Sequence, residues 1–211
     1  MRCLLFALGL LAACEPSKSR ELDHERIHVI DNARLRTDLV GEGKFEEQAT
    51  FVLVDAANDA GESAYVTLAG ELDDASGAKV GDLRAQSLWI PAGEQRTFAL
   101  VDRAHEPRPT AAAAKVFVRG ATTPGSPPAA TVDDQRQLVD DGKIVVQGTL
   151  RNPAARGGNI MVIASFHDGD GRPMTRPFAM VHVEANGAQP VQFVGPPGSK
   201  QGALYVGDSV Y

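Results

Sequence analysis

Cysteine is almost absent from these 211 residues, the two present being Cys3 and Cys14. Beyond residue 14 the chain has no thiol. Disulfides, Cys-ligated metals and a cysteine nucleophile are thereby excluded for that part, which must hold its fold by burial alone. Aromatic residues are sparse at 6 %. Positive charge is short as well, with 21 Lys and Arg against 27 Asp and Glu, a net charge of −6. Nucleic acid and a polybasic lipid-binding surface both ask for the opposite balance. Long apolar runs are missing too: the one stretch, from Cys3 to Cys14, falls short of the about 20 residues needed to cross a bilayer. There is no G-x-S-x-G elbow or Gly-rich phosphate loop. What the chain has in quantity is turn-formers, 21 glycines and 13 prolines. That mixture suits many short strands joined by turns.

The N-terminus follows secretory-signal logic, with Arg2 as a positive n-region and Leu4 to Leu11 as the apolar h-region. The small pair Ala12-Ala13 before Cys14 resembles the lipobox of bacterial lipoproteins. The resemblance implies that residues 1–13 are removed and that the Cys14 thiol is the lipid attachment site. Two or three acyl chains would anchor the chain stably in a membrane. Glu15 and Pro16 follow the cysteine, without the Asp that favours the inner membrane in that family, so the outer membrane is expected. The soluble part would then lie in the periplasm. Residues 14–26 are polar and read as a solvated, lipidated tether.

From Thr50 onward the strand signals are regular. Phe51 to Val54 is a short apolar run, and Tyr65 to Leu72 alternates with Val66, Leu68, Gly70 and Leu72 on one face. Ser87 to Ile90, Thr97 to Val101 and Lys115 to Val118 continue the series, while Asp31 to Lys44 suggests an extended arm. Residues 121–137 open on a Pro, Gly, Ser, Thr and Ala composition and read as a linker. It divides a first module, 27–120, from a second, 138–211. The second repeats the first at a spacing of 94: Asn58 and Asn152 (152−58), Asp74 and Asp168, Gly77 and Gly171, Gly93 and Gly187. The inward face repeats with it, Val66, Leu68, Gly70 and Leu72 becoming Ile160, Val162, Ala164 and Phe166. Further along, Phe98 is matched to Phe193 and Val116-Phe117-Val118 to Leu204-Tyr205-Val206. The expected fold is all-β, as two tandem antiparallel β-sandwiches. On that reading Phe166→Asp unfolds the second module, while Ser165→Asp, on the outer face, is nearly silent.

Val146 to Asn152, Phe166-His167-Asp168-Gly169-Asp170-Gly171, Asn186-Gly187, Gln192-Phe193 and Ala203 to Val206 resemble bacterial envelope modules of the FxLYD and YcfL lipoprotein type. The match covers Leu138 to Tyr211 and extends faintly to the first copy. The resemblance implies Ig-like β-sandwiches on a lipid anchor, with no enzymatic activity attached to the fold.

Candidate chemistry is thin. His24-Glu25-Arg26-Ile27-His28 fits the H-E-x-x-H string of zinc hydrolases. That string works only on a rigid helix, with both imidazoles on one face and the glutamate activating a metal-bound water. Here it lies in the tether and runs into an extended-looking segment, so no catalytic or metal role is assigned to it. Asp168-Gly169-Asp170-Gly171 has two alternating carboxylates, too few for a calcium loop, and reads as a hairpin turn. Trp89, the lone tryptophan, is read as a sandwich-core residue, with a ligand platform as the rival. His105 lies in a Pro-rich loop, and His167 and His182 have no sequence-near partner. No cofactor is expected. The functional expectation is a non-enzymatic, membrane-anchored envelope lipoprotein that binds another envelope protein. The alternatives are a metal-dependent hydrolase using His24 and His28, or a small-ligand-binding lipoprotein.

Overall fold

The computed structural model describes residues 19–41, 46–123 and 128–210. Leu11 to Cys14 lie outside the described residues, and so does Lys44 at the end of the expected arm. Among the described residues there is no α-helix, only a 3-10 turn over His24–Arg26. The rest is strand and turn. The first eight strands are β1 (Arg20–Glu21), β2 (Ile27–Val29), β3 (Arg34–Val40), β4 (Glu47–Asn58), β5 (Ala64–Asp74), β6 (Lys79–Ile90), β7 (Gln95–Val101) and β8 (Ala111–Thr123). Then come β9 (Thr131–Asp140), β10 (Lys143–Arg151), β11 (Gly158–His167), β12 (Pro173–Thr175), β13 (Phe178–Val183), β14 (Ala188–Val194) and β15 (Gln201–Val210).

The strands form four antiparallel sheets. Sheet I runs β1-β8-β5-β6; sheet II centres on β4, with β2 and β3 on one side and β7 on the other. Sheet III runs β14-β10-β9; sheet IV centres on β11, with β12 and β13 on one side and β15 on the other. Sheets I and II face each other across one apolar cluster built from Val66, Leu68, Leu72, Leu88 and Ile90 against Val52, Val54, Phe98 and Leu100. Sheets III and IV do the same with Val146, Leu150 and Val191 against Ile160, Val162, Ala164 and Phe166. Period-2 burial produces both faces: Val66, Leu68 and Leu72, like Ile160, Val162 and Phe166, are fully buried. Burying each such side chain contributes about 1.5–3 kcal/mol.

Strand pairing in the two halves is equivalent. β4 lies between β3 and β7 as β10 lies between β9 and β14, and β5 has β6 and β8 where β11 has β12/β13 and β15. Ala69 pairs with Phe117 as Ile163 pairs with Tyr205, which places Val116 to Val118 opposite Leu204 to Val206 in the repeat. The buried asparagines at the strand ends do the same work. Asn58 Oδ1 accepts from the Ala60 N–H, and its Nδ2 donates to the carbonyls of Glu62 and Ile90. Asn152 accepts from Ala154 and donates to Arg156 and Val183.

Four expectations need correction. Arg20 and Glu21 pair with Thr123 and Thr122, and Leu22 is buried, so the fold begins inside the expected tether of 14–26. Within the expected extended arm, Arg34–Val40 is a strand paired with β4. β8 runs to Thr123 and β9 starts at Thr131, inside the expected linker of 121–137, because polar β9 needs only one face covered. Phe98 pairs with Val54 as Val191 pairs with Gly148, so its counterpart is Val191, and Phe193 answers to Leu100. Likewise the left-handed residue that matches Gly93 is Asn186, not Gly187. Both slips have one cause: the second half is one residue shorter between Gly171 and Val183.

Candidate functional site

β4 is buried on both faces. Val52, Val54 and Ala56 point into the first core, which leaves Leu53 and Asp55 facing away from it, and both are buried all the same. What covers them is the outer face of sheet IV: Ile163, Ser165 and His167 on β11 and Tyr205 on β15, all buried. The two halves thus meet sheet against sheet, with Asp55 at the centre.

Asp55 Oδ2 lies 2.8 Å from His167 Nε2, and its Oδ1 accepts from the Thr97 hydroxyl at 2.5 Å. Asn32, in the turn after β2, donates Nδ2 to Asp55 Oδ2 at 2.8 Å and to the carbonyl of Gly171 at 3.1 Å. Burial works to raise the Asp55 pKa. The hydrogen bonds from His167 and Thr97 and the attraction of the imidazole outweigh it, and the carboxyl sits below its ordinary value. An ionised carboxylate only accepts, so the shared proton belongs to His167 Nε2. Around this core Tyr205 Oη donates to the Thr97 carbonyl at 2.8 Å, and the Arg96 guanidinium lies over the Tyr205 ring at 5.0 Å. Arg34 pairs with Asp168 Oδ2 and Arg36 donates to the Met174 carbonyl, both across the same seam.

The arrangement is a latch and not a catalytic relay. A relay needs a nucleophile bonded to the base. Here the Thr97 hydroxyl lies 3.4 Å from His167 Nε2 but gives its proton to Asp55 at 2.5 Å, and Ser165, two residues from His167 on the same strand, makes no hydrogen bond to it. A cavity of about 100 Å³ lies beside His167, lined by Gln95, Ser165 and Gln201 among others. That is room for a few waters at about 30 Å³ each. Neither Asp55 nor Thr97 stood out in the sequence. The available signal was a carboxylate directly after the apolar run Phe51 to Val54: a charge on a strand buried on both faces demands a partner.

The other singled-out residues lie apart. His24 to Arg26 form the 3-10 turn and His28 is already on β2, so the helical face that H-E-x-x-H chemistry requires does not exist here. His28 Nε2 lies 3.5 Å from Asp59. Asp168 Oδ1 accepts from the backbone of Asp170 and Arg172, both at 3.0 Å, which commits it to the turn. The Arg172 amide first, then Arg34 and the Asp170 amide, hold its pKa below the ordinary value. Asp74 accepts from Ser76 and Ala78 in the same geometry. Among the described residues no group of three or more His, Cys, Asp or Glu is placed to hold a metal ion. His182 meets Asn159 and Glu184, and His105 sits in the β7–β8 loop with φ of 56°.

Trp89 departs from expectation. Leu88 and Ile90 take the inward positions, so Trp89 stands on the outer face, half-buried, edge-on to Tyr65 with ring centres 5.2 Å apart. It borders a cleft of about 290 Å³ with Pro91, Arg96, Pro128 and Tyr205. Ser165 is the second surprise: it is 3 % exposed, on the face that packs against sheet II.

No family model matches the sequence, and no curated protein is significantly similar to it. Among solved structures, the crystal structure of red sea bream transglutaminase aligns over 78 % of this chain and 27 % of that one, at 13 % identity and a TM-score of 0.25. The tandem CBM22-1–CBM22-2 domain of Paenibacillus barcinonensis Xyn10C aligns over 92 % and 89 %, at 10 % identity and a TM-score of 0.16. The chain spans about a quarter of the transglutaminase. Likeness at this level carries no argument about fold or function.

Proposed function

We propose that this chain is a membrane-anchored, non-enzymatic envelope lipoprotein whose two tandem Ig-like β-sandwich modules form a binding and scaffold unit. Cys14 is the lipid attachment site, the outer membrane is the favoured location, and the described part stands in the periplasm. The partner is another envelope protein. One observation carries the binding role: the far end of sheet III exposes apolar side chains on its two outer strands. Leu138, Val145 and Val194 lie side by side across β9, β10 and β14. Leu138 is 38 % and Val194 52 % exposed, with Val145 buried between them. Among the described residues β14 pairs with β10 alone, which leaves its outer edge to accept a strand or loop from a partner.

The experiment is crosslinking in cells followed by capture of the chain, with Cys14→Ser and Val194→Asp alongside the unaltered protein. Cys14→Ser should move the protein out of the membrane fraction. Val194→Asp should lose a crosslinked envelope partner while leaving the fold intact. Recovery of the same partners by the Val194→Asp chain would overturn the assignment of this surface. A second reading, a small-ligand-binding lipoprotein, is favoured by Trp89, whose indole borders an open cleft instead of filling a core.

A further inference from the structure

The outer face of sheet I carries a group of residues that neither core nor seam requires. A broad basin of about 700 Å³ lies over the middle of β5, floored by Ala69 and Ala85 and bordered by Arg84, Arg103, Arg119 and Phe117. Two irregularities in the ladder build it. β6 has a register shift opposite Leu68–Gly70, where Arg84 sits, and β8 has one opposite Thr67–Leu68, where Arg119 sits. A bulge re-aims side chains, and bulges on both sides of Ala69 turn an arginine to each flank of a small floor. Arg103 enters from the β7–β8 loop, its N–H bonded to the Asp82 carbonyl.

Three features mark the basin as a site. None of the three arginines has a carboxylate within ion-pair distance among the described residues, in a chain whose net charge is −6. The carboxylate in the basin's own lining, Asp82, is paired with Lys79 at 2.5 Å. Phe117 is 54 % exposed beside them, the most exposed aromatic side chain described. Finally, Ile163 and Tyr205 hold the equivalent places in sheet IV, where both are buried against sheet II. The same position on the same fold is thus apolar and covered in one half, small-floored, cationic and open in the other.

We propose that this basin binds a phosphate-bearing ligand, with Arg84, Arg103 and Arg119 gripping its phosphate oxygens and Phe117 lying against its non-polar part. A guanidinium presents parallel N–H donors that match phosphate oxygens in pairs. Three cations exceed what one phosphate monoester, at about −1.5 to −2, would neutralise, so the fit favours two phosphates or neighbouring headgroups. The site stands independently of the envelope reading.

The test uses the full chain with inorganic pyrophosphate as probe, followed by calorimetry or by chemical shifts of the arginine side chains. Binding should weaken as salt rises. Each of Arg84→Ala, Arg103→Ala and Arg119→Ala should lower affinity by about tenfold or more, with the melting temperature unchanged. A second arm uses vesicles of phosphatidylcholine with and without phosphatidylglycerol. It compares the full chain carrying Cys14→Ser with the same chain also carrying the three substitutions, so any membrane affinity of the N-terminus cancels. Arginine-dependent binding of pyrophosphate in the first arm identifies a soluble phosphate ligand. Arginine-dependent binding only to the anionic vesicles identifies a lipid headgroup. No binding in either arm, or binding that survives the triple substitution, overturns the proposal.

Discussion

Asp55 and Thr149 hold equivalent places on β4 and β10, 94 positions apart (149−55), and their surroundings are opposite. Asp55 is 1 % exposed and bonded to His167, Thr97 and Asn32. Thr149 faces a shallow surface depression beside Pro190 and Gln192. The same contrast holds between sheets I and IV, whose outer faces carry Ala69 and Phe117 in one and Ile163 and Tyr205 in the other. One pair of outer faces has become a seam and the other has stayed open. The cores repeat because period-2 burial leaves few choices. The outer faces diverge because only their neighbours constrain them.

The most damaging way to probe this contrast is to charge a core. Phe166 is fully buried in the second cluster, so Phe166→Asp should cost more than about 5 kcal/mol, removal of the ring alone being worth about 3–5. Circular dichroism should show the second half unfolded, and strand signal from the first half should survive if its core is self-sufficient. Loss of both halves together would show that the seam makes them one folding unit.

Asp55→Asn comes next and addresses the seam itself. It leaves His167 buried without its carboxylate, at a cost of about 3–5 kcal/mol. The sign of the pH dependence follows from the lowered pKa of Asp55. A depressed carboxylate contributes stability above the ordinary Asp value of about 3.9 and loses it as pH falls toward the folded value. Melts of the unaltered chain should therefore weaken below about pH 4. Asp55→Asn should flatten that part of the curve. An unchanged slope would mean that other carboxylates set the acid limit.

Ser165→Asp sharpens the comparison from the other side of the seam. Sequence parity put Ser165 on an outer face, and outer was read as solvated. The parity is right and the inference fails, because a second sheet lies on that face. With Ser165 3 % exposed, a new carboxylate there should cost about 2–3 kcal/mol, whereas Thr67→Asp on sheet I should be nearly neutral. Equal melting temperatures for the two variants would deny the seam.

How far the fold could be read from the chain follows the same division. The alternation in β5 and β11, the Asp168–Gly171 turn and the match of β8 to β15 are local patterns, and all are legible. The Asp55–His167 bond joins residues 112 apart, and no window along the chain contains both. Trp89 misled because hydrophobicity outweighed its parity with Leu88 and Ile90. Arg84, Arg103 and Arg119 were invisible for a different reason: an overall charge of −6 averages away a local cluster assembled by two bulges and a loop.

Trp89→Ala separates packing from ligand binding. Half-exposed and edge-on to Tyr65, Trp89 should contribute about 1–2 kcal/mol. A fully buried core tryptophan would be worth about 3–5. A thermal shift of the larger size would restore the core role.

The smallest effect is the cleanest test of equivalence. Gly77 and Gly171 close the β5–β6 and β11–β12 turns with φ of 83° and 72°, and an added Cβ would meet nothing within 4 Å at either. A clash is therefore ruled out, and only the left-handed backbone resists alanine. Gly77→Ala and Gly171→Ala should each cost about 1 kcal/mol and agree within about 0.5 kcal/mol, as measured by denaturant midpoints at constant m. Both turns are bound alike, with Asp74 and Asp168 accepting from the amides two and four positions on. The turns differ in their outside partners: Arg34 and Asn32 cross the seam to Asp168 and to the Gly171 carbonyl, whereas Asp74 takes the Ser76 hydroxyl of its own turn. A larger cost at Gly171 would then measure how tightly the seam holds its turn, and Arg34→Ala should reduce the excess.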